Sequence, residues 1–291
     1  MAFSSATFPH DLVKEVFNTA QGHSSVAKLS EQVPVSFSGT DVMVFQLDGE
    51  VNLVGENAAK AEHNNSNYIV PMKPVKIEYG ARVSDEFLRC SEEKQLEIMR
   101  GFADGFSKKI ARGLDIMVFH GVNPKTGTPA TGLIGANSLD TNTDVTAVTY
   151  VPATPDIEGN IATGLAALGD YDFNGLAIDK TASSELAKLT INGVKQYPQL
   201  AWGANPGVIN GVATDINTTV SAVTGKHGYM GDFKNAFKWG YADVVNFDVI
   251  EYGDPDNSGK DLKGYNQVYL RAEAYIGWAI FDGAAFARIE E

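Results

Sequence analysis

Apolar residues recur at Leu96, Met99, Ala103, Phe106, Ile110, Leu114 and Met117, in steps of three and four. That period predicts a helix over 92–120 with a single narrow apolar face. Ser91 stands where an N-cap is expected, and Glu92 and Glu93 occupy the first turn, where the helix dipole favours anions. Gly121 and Pro124 end it. At 1.5 Å per residue such a helix is about 43 Å long, a spine for the subunit. Glycines at 101, 105 and 113 weaken it but permit close packing.

Before the spine the pattern is one of strands and turns. Val42-Met-Val-Phe-Gln-Leu47 is a short apolar run, and Asp48-Gly49 is a hairpin turn signal ahead of Val51-Asn-Leu-Val54. The tract Gly55–Asn67 is small and polar, suited to an exposed loop tip. The chain returns as Tyr68–Tyr79, where Pro71 and Pro74 suit an edge or projecting strand. Residues 33–82 therefore read as a long hairpin with little to bury in its own monomer, which needs a partner. Residues 1 to about 30 read as an arm, with a short amphipathic helix at Asp11–Phe17 and a loop at Gln21–Ser25.

Beyond a turn-rich loop at Asn123–Leu133, helices are expected at Asp156–Leu168 and Ser183–Leu189. Strands are expected at Gly175–Ile178, Val208–Ala213 and Val268–Phe281, with Ala284–Ile289 closing the chain. This mixed order points to an α+β fold rather than a doubly wound sheet.

Composition narrows the partners. The 291 residues suffice for a sizeable core, and 36 acidic against 23 basic residues leave a net charge of −13. A chain so charged is a poor non-specific DNA binder. Its one dense basic patch, Lys108-Lys109-Ile-Ala-Arg112, is flanked by acids and reads as a solvated helix face. No run approaches the roughly 18 apolar residues of a membrane span. The N-terminus lacks a signal-peptide pattern, so synthesis in the cytosol is expected. The single cysteine, Cys90, excludes an intramolecular disulfide and a cysteine-cluster metal site.

No constellation for catalysis emerges. His10, His23, His63, His120 and His227 show no ligand spacing and are expected at surface or terminal positions. Cys90 precedes the spine helix without the neighbours of a nucleophile. Asp254-Pro-Asp256-Asn-Ser258-Gly259 begins like a calcium loop, but Tyr265 stands where the bidentate carboxylate belongs, so it reads as an acidic turn. Gly121-Val-Asn-Pro-Lys125-Thr126 lacks the spacing of a phosphate loop. No catalytic, metal or cofactor residue is assigned.

In order, these segments resemble the HK97-type major capsid family of tailed bacteriophages from about residue 25 onward. The resemblance rests on the hairpin with Val54-Gly55-Glu56 outgoing and Lys73-Pro-Val-Lys76 returning, then Arg82-Val-Ser-Asp-Glu-Phe-Leu88. It continues through Leu114-Asp115…Gly121, Gly132-Leu133, Gly231-Asp232-Phe233…Phe237, and Tyr269-Leu-Arg271…Trp278–Phe286. It implies an HK97-like capsid fold with an N-terminal arm (1–32), an extended loop (33–82), and a peripheral domain with the spine helix (83–129). An axial domain (130–265) and C-terminal strands returning to the peripheral domain (266–291) complete it.

The implied function is that of a major capsid protein, assembling into pentamers and hexamers of an icosahedral head that encloses double-stranded DNA without reading its sequence. Portal, scaffolding and decoration proteins are the implied partners, with no cofactor and no membrane, and the virion is the implied location. Glu56, Lys60, Lys73, Arg82 and Glu86 are the implied inter-subunit contact residues. Some family members crosslink a loop lysine to a neighbour's asparagine; Lys60 is available, but it reads as a solvated lysine. An encapsulin-like nanocompartment shell is the close alternative, disfavoured by the arm and the long polar hairpin. A metal-dependent enzyme using the Asp254–Asp256 turn is the remote one.

Overall fold

A computed structural model describes residues 19–47, 51, 53–56, 58, 65–243 and 245–291. The expected arm helix at Asp11–Phe17 and the Asp48-Gly49 turn lie outside them. In chain order come helix α1 (Ser25–Leu29), strands β1 (Thr40–Leu47), β2 (Asn65–Met72) and β3 (Pro74–Ser84), and the long helix α2 (Glu92–His120). Helix α3 (Thr131–Ile134), β4 (Thr146–Thr149), α4 (Ile157–Ala167), β5 (Gly175–Ile178) and α5 (Lys180–Lys188) follow. Next are the short strands β6 (Thr190–Ile191), β7 (Val194–Lys195) and β8 (Val208–Ile209), then β9 (Val212–Ile216) and β10 (Lys226–Gly231). Strands β11 (Phe237–Tyr241), β12 (Asn246–Ile250), β13 (Gln267–Ile280) and β14 (Phe286–Glu290) complete the chain.

The spine helix has the bounds its apolar period predicts. Gly121 ends it in the left-handed conformation, φ +65°, and its N–H donates to the Met117 carbonyl at 3.0 Å. Ser91 makes no side-chain cap bond, contrary to expectation. Leu96 and Met99 are half-buried, whereas every residue from Gly113 to His120 is buried. The single narrow face thus widens at the C-terminal end, because that end is packed between two sheets. Phe106, Ile110, Leu114 and Phe119 share one core with Tyr229 and Phe233 on one side and Trp239, Ala272 and Trp278 on the other.

The larger sheet runs β4-β14-β10-β5-β9-β8, with β14–β4 and β5–β9 parallel and the remaining pairs antiparallel. It is covered on both faces: Ala177 points to the spine side, while Leu176 and Ile178 point to α4 and α5. The second sheet is built on β13, with β3 along one side and β12 and β11 along the other. Val268, Leu270, Ala272, Ala274 and Ile276 are buried and their alternating neighbours half-buried, the period of two that a strand requires.

Several expectations change. The hairpin is β1 with β2, Thr40 opposite Met72 and Leu47 opposite Asn65. Its expected return strand divides at Pro74, and β3 joins β13 instead. Val51, Leu53 and Val54 form no strand. The single strand expected at Val208–Ala213 is two, β8 and β9, joined by Asn210 at φ +50° and Gly211 at φ +87°. The expected loop at Gln21–Ser25 is helical at 19–23, and Ser24 caps α1. Residues 286–290, grouped with β13 in the sequence reading, turn away at 283–285 and enter the six-stranded sheet between β4 and β10. Conversely β11 and β12, placed with the axial segment, flank β13.

The N-terminal segment is fixed to the body where its backbone crosses β11: Val33 N–H donates to the Trp239 carbonyl at 2.8 Å. Only a glycine at 240 allows this approach, since a Cβ there would lie 1.8 Å from the Val33 carbonyl oxygen. Gly240→Ala is expected to lift residues 32–35 off β11 and cost roughly 1–3 kcal/mol of stability. Chemical denaturation of the unassembled subunit measures this, and an unchanged midpoint would count against it.

Candidate assembly interface

The β1–β2 hairpin is rooted in the body and bare beyond it. At its base Val35, Met72 and Ala279 form a small core with Val33, Val70 and Phe281, and the Tyr68 hydroxyl donates to the Phe281 carbonyl at 2.6 Å. On the other face of the ribbon, Met43, Phe45 and Ile69 are more than half exposed, with Met43 directly opposite Ile69. In the connecting segment Val51 and Leu53 are almost wholly exposed. Such a run of apolar surface marks an interaction site in a folded protein. Each of these side chains is worth roughly 1.5–3 kcal/mol once buried against a partner.

The body that carries the hairpin is tied together at Asp115 of the spine helix. Its carboxylate is fully buried and accepts five hydrogen bonds. Ser24 Oγ (2.5 Å) and Val26 N–H (3.1 Å) donate to Oδ1. Ser25 N–H (3.0 Å), Asn217 Nδ2 (3.2 Å) and Thr219 Oγ1 (2.8 Å) donate to Oδ2. One side chain thus joins the start of α1, the spine and the 217–219 loop. Burial pushes the Asp115 carboxyl up to about 6, against the pull of the bonds from Ser24, Ser25, Val26 and Thr219. A parallel tie joins Asp215 of β9 to α1 through Ser25 Oγ (2.6 Å) and Lys28 Nζ (2.6 Å). Burial opposes ionisation of Asp215, but these bonds and the Lys28 charge hold its carboxyl below its ordinary value.

A second buried network joins the spine's end to the larger sheet. His120 Nε2 faces the Thr219 carbonyl at 2.9 Å and Nδ1 faces Asp140 Oδ2 at 2.8 Å. The Tyr229 hydroxyl donates to Asp140 Oδ1 at 2.9 Å, and Lys226 bridges Asp140 and Glu290. Burial works against the Asp140 charge, yet His120, Lys226 and Tyr229 together lower its pKa. His120 and His227, expected at surface or terminal positions, are both buried, His227 between Asp179 and Glu291. Sequence spacing holds no trace of these pairings, because every partner of His120 lies at least twenty residues away. His23 is exposed, and His10 and His63 lie outside the described residues.

The acidic turn at 254–259 closes around a guanidinium. Arg82 Nη2 reaches Asp254 Oδ1 (2.7 Å), Asp256 Oδ1 (2.5 Å), Ser258 Oγ (2.6 Å) and the Lys260 carbonyl (3.0 Å), while Nε reaches Asp256 Oδ2 (2.9 Å). The oxygen ligands that gave the segment its calcium-loop look are thus aimed at an arginine of β3. That guanidinium holds the Asp256 carboxyl well below the usual carboxylate range. No group of three or more metal-ligating side chains occurs among the described residues. No described helix is long and apolar enough to cross a membrane.

Of the residues expected at subunit contacts, Glu56 is exposed in the connecting segment, and Lys73 is exposed at the β2–β3 junction. Lys60 lies outside the described residues. Arg82 and Glu86 come together, lining with Arg89 and Tyr265 an open cavity of about 690 Å³. The Arg82 guanidinium itself is committed to the turn of its own chain. Sequence reasoning quoted Asp115 only within a family motif and missed its role; the signal of a buried tie was a polar residue between Leu114 and Ile116 at the helix's apolar end.

A long spine held between two sheets, with a projecting hairpin bare on one face, defines a shell-building subunit of the HK97 type. A chain from the structure of Mycobacterium phage Ogopogo is 28% identical, covering 92% of this chain and 92% of that one, with a TM-score of 0.76. One from Gordonia phage Cozz, 24% identical over 92% and 86%, has a TM-score of 0.71. The capsid of an empty GTA particle, 15% identical over 92% and 90%, has a TM-score of 0.62; these last two share the fold. No curated protein matches. The model of the phage capsid family matches residues 5–290, and the chain belongs to that family, whose members are shell-forming structural proteins.

Asp115→Asn presents an amide nitrogen to at least one of the backbone N–H groups of Ser25 and Val26. It is expected to destabilise the subunit by roughly 1–3 kcal/mol. The pH dependence has a definite sign. An unfolded aspartate releases its proton near 3.8 and the folded one near 6, so the folded state holds the extra proton in between. The Asp115 contribution to stability therefore falls as pH rises through that window. Between pH 4 and 6 the slope of stability against pH should be more negative in the parent than in Asp115→Asn, by denaturation curves; equal slopes would refute the assignment.

Proposed function

We propose that this chain is the major capsid protein of a phage head, forming pentamers and hexamers of an icosahedral shell around double-stranded DNA. The observation that carries the reading is the hairpin: a rooted projection whose apolar face, with Met43, Phe45 and Ile69, is left uncovered by the described residues. In the shell it lies over a neighbour, where pairing along a projecting strand supplies affinity without a pocket. The chain before α1 acts as the arm, and the β1–β2 hairpin, 40–72, acts as the extended loop. The segment 83–129 with β11, β12 and β13 forms the peripheral part, and the six-stranded sheet, β14 included, with its covering helices forms the axial part. Glu56, Lys60, Lys73, Arg82 and Glu86 lie at the subunit boundaries, Arg82 there by shaping the 254–260 turn.

The role is mechanical rather than catalytic. With a net charge of −13 the subunit contains DNA rather than neutralising it. Synthesis and assembly take place in the cytoplasm of the bacterial host, with a portal and scaffolding or decoration proteins as partners, and the mature protein resides in the virion. Negative-stain microscopy of the protein expressed with its genomic neighbours should show closed particles holding nuclease-protected DNA. Particles filled with an enzyme cargo would point to a nanocompartment, and a strictly monomeric protein at high concentration would end the reading.

Replacing Met43 and Phe45 together with serine should lower particle yield about tenfold or more, as loss of central apolar anchors does. The unassembled subunit's stability should stay within about 0.5 kcal/mol per substitution, because both side chains are exposed there. Sedimentation and thermal melting measure the two effects; normal particle yield would remove the hairpin from the interface.

A further inference from the structure

On its face away from the spine, the six-stranded sheet carries a layer of elements with two unlike flanks. Helix α4 packs over β4 and β14, α5 beside it over β10, and the 198–203 segment lies against α5 near Ile216 of β9. On the α4 flank, Ala162, Leu165 and Ala166 face outward, with Leu165 48% exposed. Glu158 and Thr163 share that outer side, but its C-terminal half is an exposed apolar patch, the kind of surface that marks an interaction site. On the opposite flank stands Trp202, fully exposed, with its backbone in the left-handed region at φ +62°. A non-glycine residue holds that conformation only where the surroundings enforce it, and such strain gathers at functional positions. The other two tryptophans, Trp239 and Trp278, are buried.

Charge separates the flanks as well. Residues 126–179 contain no lysine or arginine, and Asp156, Asp170 and Asp172 lie exposed just beyond the ends of α4. Residues 186–214 contain no acid, and Lys188 and Lys195 lie exposed beside Trp202 around one cavity of about 610 Å³. In a chain of net charge −13, this is an unusual basic island.

We infer that Trp202 of one subunit docks on the outer face of α4 of the next, its ring against Leu165 and the small side chains of Ala162 and Ala166. Lys188 and Lys195 meet the acids at the ends of that helix. Because knob and receiving face lie on opposite flanks, the contact is head-to-tail, and repeated about an axis it closes a ring. This rests on the shell reading above and names the contact that orders subunits within one ring. A buried tryptophan at the centre of such a contact is the usual dominant anchor.

Trp202 alone among the three tryptophans is open to solvent, so its fluorescence reports the contact in the unaltered protein. Iodide should quench it in unassembled subunits and quench it several-fold less in assembled particles. Trp202→Ala and Leu165→Asp, both at exposed positions, should each raise the subunit concentration needed for assembly about tenfold. Particles in which Trp202 stays fully quenchable would overturn this contact and leave the shell reading standing. A protein that forms no oligomer at all would overturn both.

Discussion

A carboxylate with no access to water must find its hydrogen bonds inside the protein, and Asp115 finds five. That requirement sets the relation of the main parts of the subunit. The chain entering from the N-terminus is turned so that the first N–H groups of α1 point at the spine, and the 217–219 loop is drawn to the same spot. An unpaired charge in that position would cost several kcal/mol, so the alternatives to this arrangement are strongly disfavoured. The Asp215 tie to Lys28 and Ser25 and the His120–Asp140–Tyr229 network repeat the device on either side. Three polar knots inside an apolar core hold spine, N-terminal segment and larger sheet in one register.

The consequence is a division between what a subunit satisfies alone and what it leaves open. The two sheets and the buried half of the spine have most of their buried polar atoms paired, Trp239 Nε1 being an exception, and their apolar residues gathered into shared cores. The hairpin beyond Met72, the outer face of α4 and Trp202 have not. A shell subunit needs this division, since its body must keep one shape while its edges meet copies of itself. The Arg82 cage belongs to the first group: it locks the 254–260 turn against β3 and uses up oxygens that would otherwise invite a cation.

The local parts of this fold were legible in the sequence. Helix α2 has its predicted ends because apolar period and a C-terminal glycine agree, and β5 and β13 are near their expected bounds because β-prone runs are bounded by turn residues. What pairing decides was not legible. β3 reads as the continuation of β2, but its partner β13 lies nearly two hundred residues on, and only Pro74 marks the change. The Asn210-Gly211 turn was a readable hairpin signal inside what looks like one strand. Burial of His120 and His227 depends on carboxylates from distant segments, which no spacing rule records. Among the expected contact residues, the exposure of Glu56, Lys73 and Glu86 fits surface charge, while the intramolecular use of Arg82 was not foreseeable from its neighbours in sequence.

The central claim is that the subunit's body is complete before assembly and its hairpin is not. Hydrogen exchange measured on unassembled subunits and on particles tests it directly. Amides of α2 from Ala103 to His120 should be equally protected in both, while the β1–β2 hairpin should gain protection only in particles. A hairpin no better protected in the shell than in the free subunit would contradict the account.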